Sequence, residues 1–349
     1  MTYLVSFILA LTLTAASTLL IKKLAWRLQI IDRPDMGREM GRKIHSTPTP
    51  LLGGLAIFFS YFVILFIYVD RFLAGNLEWS HLIGFFAGAA CLVIGGTLDD
   101  KYNLSPGRQF IFPALAAVSV IVGGVEISRL TNPFGGVVDL SVLPFISPLL
   151  IAVWLLGMMY TTKLLDGVDG LVTGIGAIGG LIIFLFTLTT RYYQPDIALA
   201  AAVFSGAAAG FLIFNWHPAK IFLGEGGSLL SGYILGVLAI ISGSKIAVAL
   251  LIMGIPILDV AWTILRRLLQ GRNPFKFSDQ KHLHHRLLSL GLGQRRTVLI
   301  FYFFALLFGG SGLFLQSLGK AGALALLLVV MFLIVIAVER WDKSQKTSL

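Results

Sequence analysis

Eleven apolar runs, near 2–21, 51–69, 80–97, 110–125, 143–162, 171–189, 196–214, 228–243, 246–265, 298–316 and 321–338, fill well over half of this 349-residue chain. Each approaches the roughly 20 residues that a helix needs to cross about 30 Å of hydrocarbon. No water bonds the peptide groups in that solvent, so the backbone must satisfy its own amides, as an α-helix does. Composition points the same way: 57% of the residues are hydrophobic and 13% charged, with a mean hydropathy of +0.88, whereas a soluble domain carries about a quarter charged residues. The expected fold is an all-α polytopic membrane protein with about eleven transmembrane helices.

The charges are distributed unevenly between the gaps. Apart from Arg71, Arg129, Arg191, Lys245 and Lys320, all 27 lysines and arginines fall in every second gap: 22–50, 98–109, 163–170, 215–227, 266–297 and the C-terminal tail. Cytoplasmic loops carry the excess of basic residues, so these gaps are expected inside, with the N-terminus outside and the C-terminus in the cytoplasm. The chain reads as one integral membrane domain, 1–349, whose five internal basic loops form the active-site face. The first run has no basic residue before it and Lys22-Lys23 after it, the reverse of a secretory signal, and is expected to remain as a helix. The net charge of +10 flanks the runs, where anionic lipid headgroups explain it and nucleic acid is not needed. Cys91 is the single cysteine and lies inside a run, which excludes a disulfide framework and a cysteine metal site.

The acids follow the same division. Asp70, Glu78, Glu126, Asp139 and Asp196 stand singly in the outer gaps and are expected to be solvated. On the basic side Asp99 and Asp100 end the third run, Asp166 and Asp169 join the fifth and sixth, Glu225 leads into the eighth, and Asp259 lies inside the ninth. Gathered into one pocket, these carboxylates would repel one another unless a cation, or basic side chains with a phosphorylated ligand, lay between them. Asp259 would sit about 10 Å up a helix from Arg266. There it either pairs with an arginine inside the bundle or serves a site, since facing lipid costs about 2.5 kcal/mol or more. Pro256 can free backbone carbonyls in that helix.

GGTLDD, DGVDGLVTG and FLGEGGS each set acids beside glycines at the end of a run. Such strings suit phosphate held by backbone N–H groups and metal held by carboxylates, and the glycines equally suit close helix packing. All histidines but His81 are on the basic side, and DQKHLHHRL at 279–287 mixes three of them with Lys281 and Arg286. That composition fits contact with phosphate or a sugar nucleotide. Zinc fits less well, with no cysteine nearby and basic neighbours.

From about Asp32 to Arg296 the chain resembles the polyprenyl-phosphate N-acetylhexosamine-1-phosphate transferases, in particular the undecaprenyl-phosphate GlcNAc-1-phosphate transferase branch of glycosyltransferase family 4. Six strings carry the resemblance in the family's order: RKIHSTPTPLLGG (42–54), GGTLDD (95–100), LLDGVDGL (164–171), FNWHPAKIFLGEGGS (214–228), GIPILDVAWTILRR (254–267) and HLHHR (282–286). The resemblance implies transfer of a sugar-1-phosphate from a UDP-N-acetylhexosamine to a polyprenyl phosphate, with UMP released, at the cytoplasmic face of the inner membrane. It implies Asp99 and Asp100 at the lipid phosphate and Asp166 and Asp169 around the nucleotide and metal as catalytic residues. Lys43 and His45 are implied at phosphate, His282, His284, His285 and Arg286 at the UDP-sugar, and Lys163, Asn215, Lys220 and Asp259 among the substrate contacts. Magnesium, with manganese as a substitute, is the implied cofactor, with Glu225 and Asp166 as its ligands; association into a homodimer is left open.

The chain departs from the family in the metal region. Similar enzymes have asparagine at the positions of Tyr160 and Lys163 and aspartate at that of Glu225. Either Lys163 pairs with Glu225 and metal shifts toward Asp166, or the lysine meets the diphosphate directly; magnesium is expected to be retained. A secondary transporter is the rival class, but it needs polar groups near mid-membrane, and Asp259 is nearly alone in approaching that depth. A CDP-alcohol phosphatidyltransferase needs an Ala-Arg after its first Asp-Gly, which DGVDGLVTGIGAIGG lacks.

Overall fold

The computed structural model describes residues 1–34, 47–132, 134–189, 192–243, 246–271 and 282–347, with side chains to residue 337. A helix lies on each of the eleven apolar runs. Seven are long and apolar enough to cross a membrane: α1 (Thr2–Arg27), α4 (Trp79–Tyr102), α6 (Ile146–Leu165), α8 (Pro195–Asn215), α9 (Gly224–Ile241), α13 (Gly293–Phe314) and the apolar part of α14 (Ser317–Thr347). An eighth candidate is the pair α10 (Ile246–Ile252) and α11 (Gly254–Leu269), bent by 81° at Met253. The protein is thus a multi-pass membrane protein, with seven to eight candidate spans by length among the described residues.

The remaining three runs give shorter helices, α2 (Gly53–Ile67), α5 (Pro106–Val122) and α7 (Leu171–Thr187). At 1.5 Å per residue these cover about 22–26 Å, less than the hydrocarbon thickness. Their starts explain the shortening. Leu52 and Gly170 adopt φ of 79° and 80°, which stops a right-handed helix from extending backwards through them, and α5 opens on Pro106. The first two amides of α2 are taken by the chain before α9, Gly53 N donating to Phe222 O at 3.0 Å and Gly54 N to Leu223 O at 2.8 Å. The one-turn helix α3 (Val69–Phe72) follows α2, and α12 (Leu283–Ser289) precedes α13. Among the described residues there are also two small antiparallel pairs: β1 (Ile31–Asp32) with β2 (Thr49–Pro50), and β3 (Arg129–Thr131) with β4 (Val137–Asp139), Leu130 opposite Val138.

α8 and α9 are enclosed at the centre, whereas α1 and α14 are largely exposed to the surroundings. Glycine permits the close approaches. A Cβ on Gly206 or Gly210 would lie 2.3 Å from Phe7 O or Leu11 O of α1, and one on Gly96 would lie 2.0 Å from Gly226 N. Gly54 meets Gly227 in the same way, while Gly95 and Gly174 are covered by Phe112 and Tyr302. At these positions the glycines serve helix packing.

Two expectations change. Asp196 is buried, 7% exposed, in the first turn of α8, where the positive end of the helix favours a carboxylate. Pro256 is the third residue of α11, a position whose N–H has no intrahelical acceptor in any case. The helix breaks at Met253, so Asp259 lies on a separate, turned segment and not up a continuous span.

Candidate active site

The last turn of α4 delivers two carboxylates to one end of the bundle. Asp99 Oδ1 accepts from Leu104 N at 2.8 Å and from Gln109 Nε2 at 3.0 Å, which ties α4 to the start of α5. Asp100 Oδ1 accepts from Glu225 N at 3.0 Å, so it caps the N-terminus of α9 with the sign that the helix end favours. The other Asp100 oxygen lies beside Gly224, whose φ is 73° and where a Cβ would come within 2.3 Å of it. Glycine is required there on both counts.

α6 ends against the same place. Lys163 forms an ion pair with Glu225 Oε1 and donates to Gln109 Oε1 at 3.0 Å. Of the two arrangements open in the sequence, the ion pair is the one named in the first. Asp166 caps the end of α6, and its carboxylate makes no hydrogen bond among the described residues. Loss of surrounding water, then the negative charges of Glu225, Asp100 and Asp169, push the Asp166 carboxyl above the usual carboxylate range. Its residue still has a face open to solvent, so the crowding of like charge is the cause that persists as the pocket hydrates.

Asp169 has a different environment from Asp166. Its Oδ2 accepts from Ala219 N at 3.1 Å and lies 2.7 Å from His217 Nδ1, while its backbone N–H reaches Gln294 Oε1 at 3.4 Å. Arg295 donates to His217 O through Nε at 3.2 Å and Nη2 at 3.1 Å. Asn215 is 4% exposed, and its Oδ1 accepts from Gly170 N and Thr173 Oγ1 while its Nδ2 donates to Ile221 O. All of its described contacts are within the protein, so it braces the turn that carries Asp166 and Asp169. Lys220 is exposed in the loop beyond.

The histidines join from α12. Asp259 is buried at 5% exposure and accepts from Leu283 N at 2.9 Å, with His282 Nδ1 at 2.9 Å. This buried acid thus pairs with a histidine and a helix N–H. The rings of His282 and His284 are parallel within 2° at 5.7 Å, and those of His284 and His285 lie 4.2 Å apart. A Cβ on Gly167 would be 2.8 Å from His284 Nε2 and 3.4 Å from His285 Nε2, so the histidines abut the Asp166 turn. Arg286 follows on the same short helix, half-buried. Lys43 and His45 lie outside the described residues.

The structure thus brings Asp99, Asp100, Lys163, Asp166, Asp169, Glu225 and the HLHH string together from four parts of the chain. Gln109, Gln294 and Arg295 belong to this network and were not singled out from the sequence. Among the described residues no three His, Cys, Asp or Glu side chains form a group that encloses a metal. Asp166 and Glu225 still offer hard oxygen donors, the type magnesium takes while keeping waters and substrate phosphates in its shell, so the donor chemistry fits that ion.

The sequence model of glycosyl transferase family 4 matches residues 82–243. The chain is 30% identical over 341 residues to a probable undecaprenyl-phosphate N-acetylglucosaminyl 1-phosphate transferase of Bacillus subtilis, covering 96% of this chain and 90% of that protein. It is 32% identical over 320 residues to a decaprenyl-phosphate N-acetylglucosaminephosphotransferase of Mycobacterium leprae, covering 84% and 78%. A Thermotoga maritima undecaprenyl-phosphate alpha-N-acetylglucosaminyl 1-phosphate transferase is 30% identical over 293 residues, covering 83% of each.

Proposed function

The chain belongs to glycosyl transferase family 4, and from that membership we propose that it transfers N-acetylhexosamine-1-phosphate, foremost N-acetylglucosamine-1-phosphate, to undecaprenyl or another polyprenyl phosphate. The donor in this reading is a UDP-sugar. An oxygen of the lipid phosphate attacks the sugar-bearing phosphorus, the bond to the bridging oxygen breaks, and UMP leaves with that oxygen. The observation that carries the reading is the convergence of Asp100, Asp166 and Glu225, from α4, the α6–α7 turn and α9, beside the stacked histidines.

A phosphate monoester with a second pKa near 6 is already mostly dianionic at neutral pH, so the protein's task is to hold anions against one another. Asp100 lines a small recess with Leu52, Leu55, Val93, Thr97 and Leu223, and these apolar neighbours are in keeping with placing the lipid phosphate at Asp99 and Asp100. Those carboxylates orient it or take its residual proton. Asp166 and Asp169 line the nucleotide side, where His282, His284, His285 and Arg286 contact the UDP-sugar. Lys43, His45 and Lys220 supply positive charge to phosphate, Lys163 neutralises Glu225 beside it, and Asn215 and Asp259 act through the turn and the helix that they brace. Magnesium, replaceable by manganese, is proposed on the Asp166 side of the Asp166 and Glu225 carboxylates, since Glu225 is ion-paired with Lys163; there it would neutralise the diphosphate and help to hold it in line.

The basic loops 22–50, 98–109, 163–170, 215–227 and 266–297 face the cytoplasm in this reading, and the protein forms one domain in the inner membrane. All eleven runs cross, the shorter helices where the bilayer thins to match them, with the N-terminus outside and the C-terminus inside. A transporter's acids would lie near mid-bilayer; Asp99, Asp100, Asp166 and Glu225 are at helix ends.

The test is release of UMP from a panel of UDP-sugars by purified protein with undecaprenyl phosphate. N-acetylhexosamine donors should turn over, and Asp100→Asn and Asp166→Asn should each lose about 100-fold or more. Full activity in both folded variants would overturn the assignment.

A further inference from the structure

The charge of Lys163 is engaged on two sides within the carboxylate pocket. Its ammonium is ion-paired with Glu225 and donates to Gln109 Oε1 at 3.0 Å, with the Tyr160 ring centroid 5.6 Å away. Gln109 in turn donates through Nε2 to Asp99 Oδ1 at 3.0 Å. This fixes the amide's sense, because an ionised carboxylate accepts only and an ammonium donates only. One lysine therefore joins α6, α5 and α9 and faces Glu225 directly and Asp99 through one amide. Its side chain is 23% exposed and that of Glu225 17%, so water screens the pair less than it would at an open surface.

A divalent ion placed on Glu225 would have to displace this ammonium or sit beside it against like-charge repulsion. Asp166 has no such partner among the described residues. We propose that Lys163 is a tethered counter-cation of the pocket, which keeps Glu225 neutralised and confines a divalent ion to the Asp166 side, where it binds weakly until a diphosphate adds its oxygens. The proposal rests on this pocket being the active site, but its test does not depend on turnover.

Detergent-purified wild type, Lys163→Met, Lys163→Asn and Lys163→Arg would be titrated with Mn2+ in the absence of substrate, with the free ion followed by its EPR signal. Losing the ammonium in the Met and Asn variants should tighten binding by at least about ten-fold, whereas Arg, which keeps the charge, should stay within about three-fold of wild type. Thermal unfolding gives a second reading: the wild-type midpoint should agree within about 1 °C between chelator and millimolar magnesium, while Lys163→Met should gain several degrees with the ion. Wild-type binding as tight as that of Lys163→Met, or a wild-type midpoint that rises with magnesium as much as the variant's, overturns the proposal. If the variants do not fold, the wild type decides. A dissociation constant for Mn2+ of about 1 mM with a flat midpoint supports the tethered cation, and one of about 1 μM overturns it. Absence of transferase turnover would count against the proposed reaction and leave these binding results in force.

Discussion

His284 is 1% exposed, it stacks between His282 and His285, and neither of its ring nitrogens has a hydrogen-bond partner among the described residues. Burial, then the imidazoles of His285 and His282, hold its pKa well below the usual histidine value. The unfolded chain takes up this proton near pH 6.5 and the folded one resists it. The stability contributed by neutral His284 is therefore complete above that pH and is lost as pH falls toward the folded value, at up to about 1.4 kcal/mol per unit. The difference in unfolding midpoint between wild type and His284→Gln should accordingly narrow from about pH 8 to about pH 5; a constant difference would contradict a neutral, buried ring. Asp259 invites a related comparison. Asp259→Ala leaves Leu283 N–H and His282 without their acceptor and should cost about 3 kcal/mol, whereas Asp259→Asn keeps an acceptor for the amide and should cost roughly half, both read by unfolding. At this scale the sequence marks the acids and histidines through their strings. It does not mark Gln109, because a neutral amide at the edge of a basic gap has no distinguishing neighbour and its function exists only when α4, α5 and α6 meet.

Among the elements, apolar length made the helices of the eleven runs legible, though not the short α3 and α12, and what it could not show was where backbones interrupt one another. The run 246–265 is continuous in hydropathy, yet the chain turns by 81° within it, and α2 begins late because its first amides bond to the strand of chain before α9. The second arises from a contact distant in sequence. The contact of α4 with α9 carries a prediction at this scale. A Cβ on Gly96 would meet the Gly226 backbone at 2.0–2.2 Å, and backbone cannot rotate away as a side chain can. Gly96→Ala should therefore shift the end of α4, costing about 1–3 kcal/mol in stability and reducing turnover through displaced Asp99 and Asp100. Gly157→Ala in α6, with nothing within 4 Å of its Cβ position, should be neutral or stabilising by roughly 0.5–1 kcal/mol. Paired unfolding and UMP-release measurements on the two variants separate backbone contact from a general intolerance of helical glycine substitution.

For the whole molecule, the pattern of lysine and arginine gives a sidedness, and the fold gives two ends to which it can be referred. Asp99, Asp100, Asp166 and Glu225 sit at ends of α4, α6 and α9, while the β3–β4 hairpin follows α5, which starts beside the site and runs away from it. The hairpin and the pocket should therefore lie on opposite faces of the membrane. Cys91 is the single cysteine, half-buried in α4 with its Sγ 3.7 Å from Phe112 O, so Cys91→Ser supplies a cysteine-free background at small cost. In that background Phe134→Cys, at a position 87% exposed near the hairpin tip, and Lys220→Cys, exposed in the loop between α8 and α9, report the two ends. In intact cells a membrane-impermeant maleimide should modify the cysteine at 134 and spare that at 220, which should react only after permeabilisation. Reaction of both from the same side would contradict a bundle that separates them. The reverse pattern would keep the bundle and invert its orientation, which would place the carboxylate pocket away from the cytoplasmic nucleotide donor of the proposed reaction.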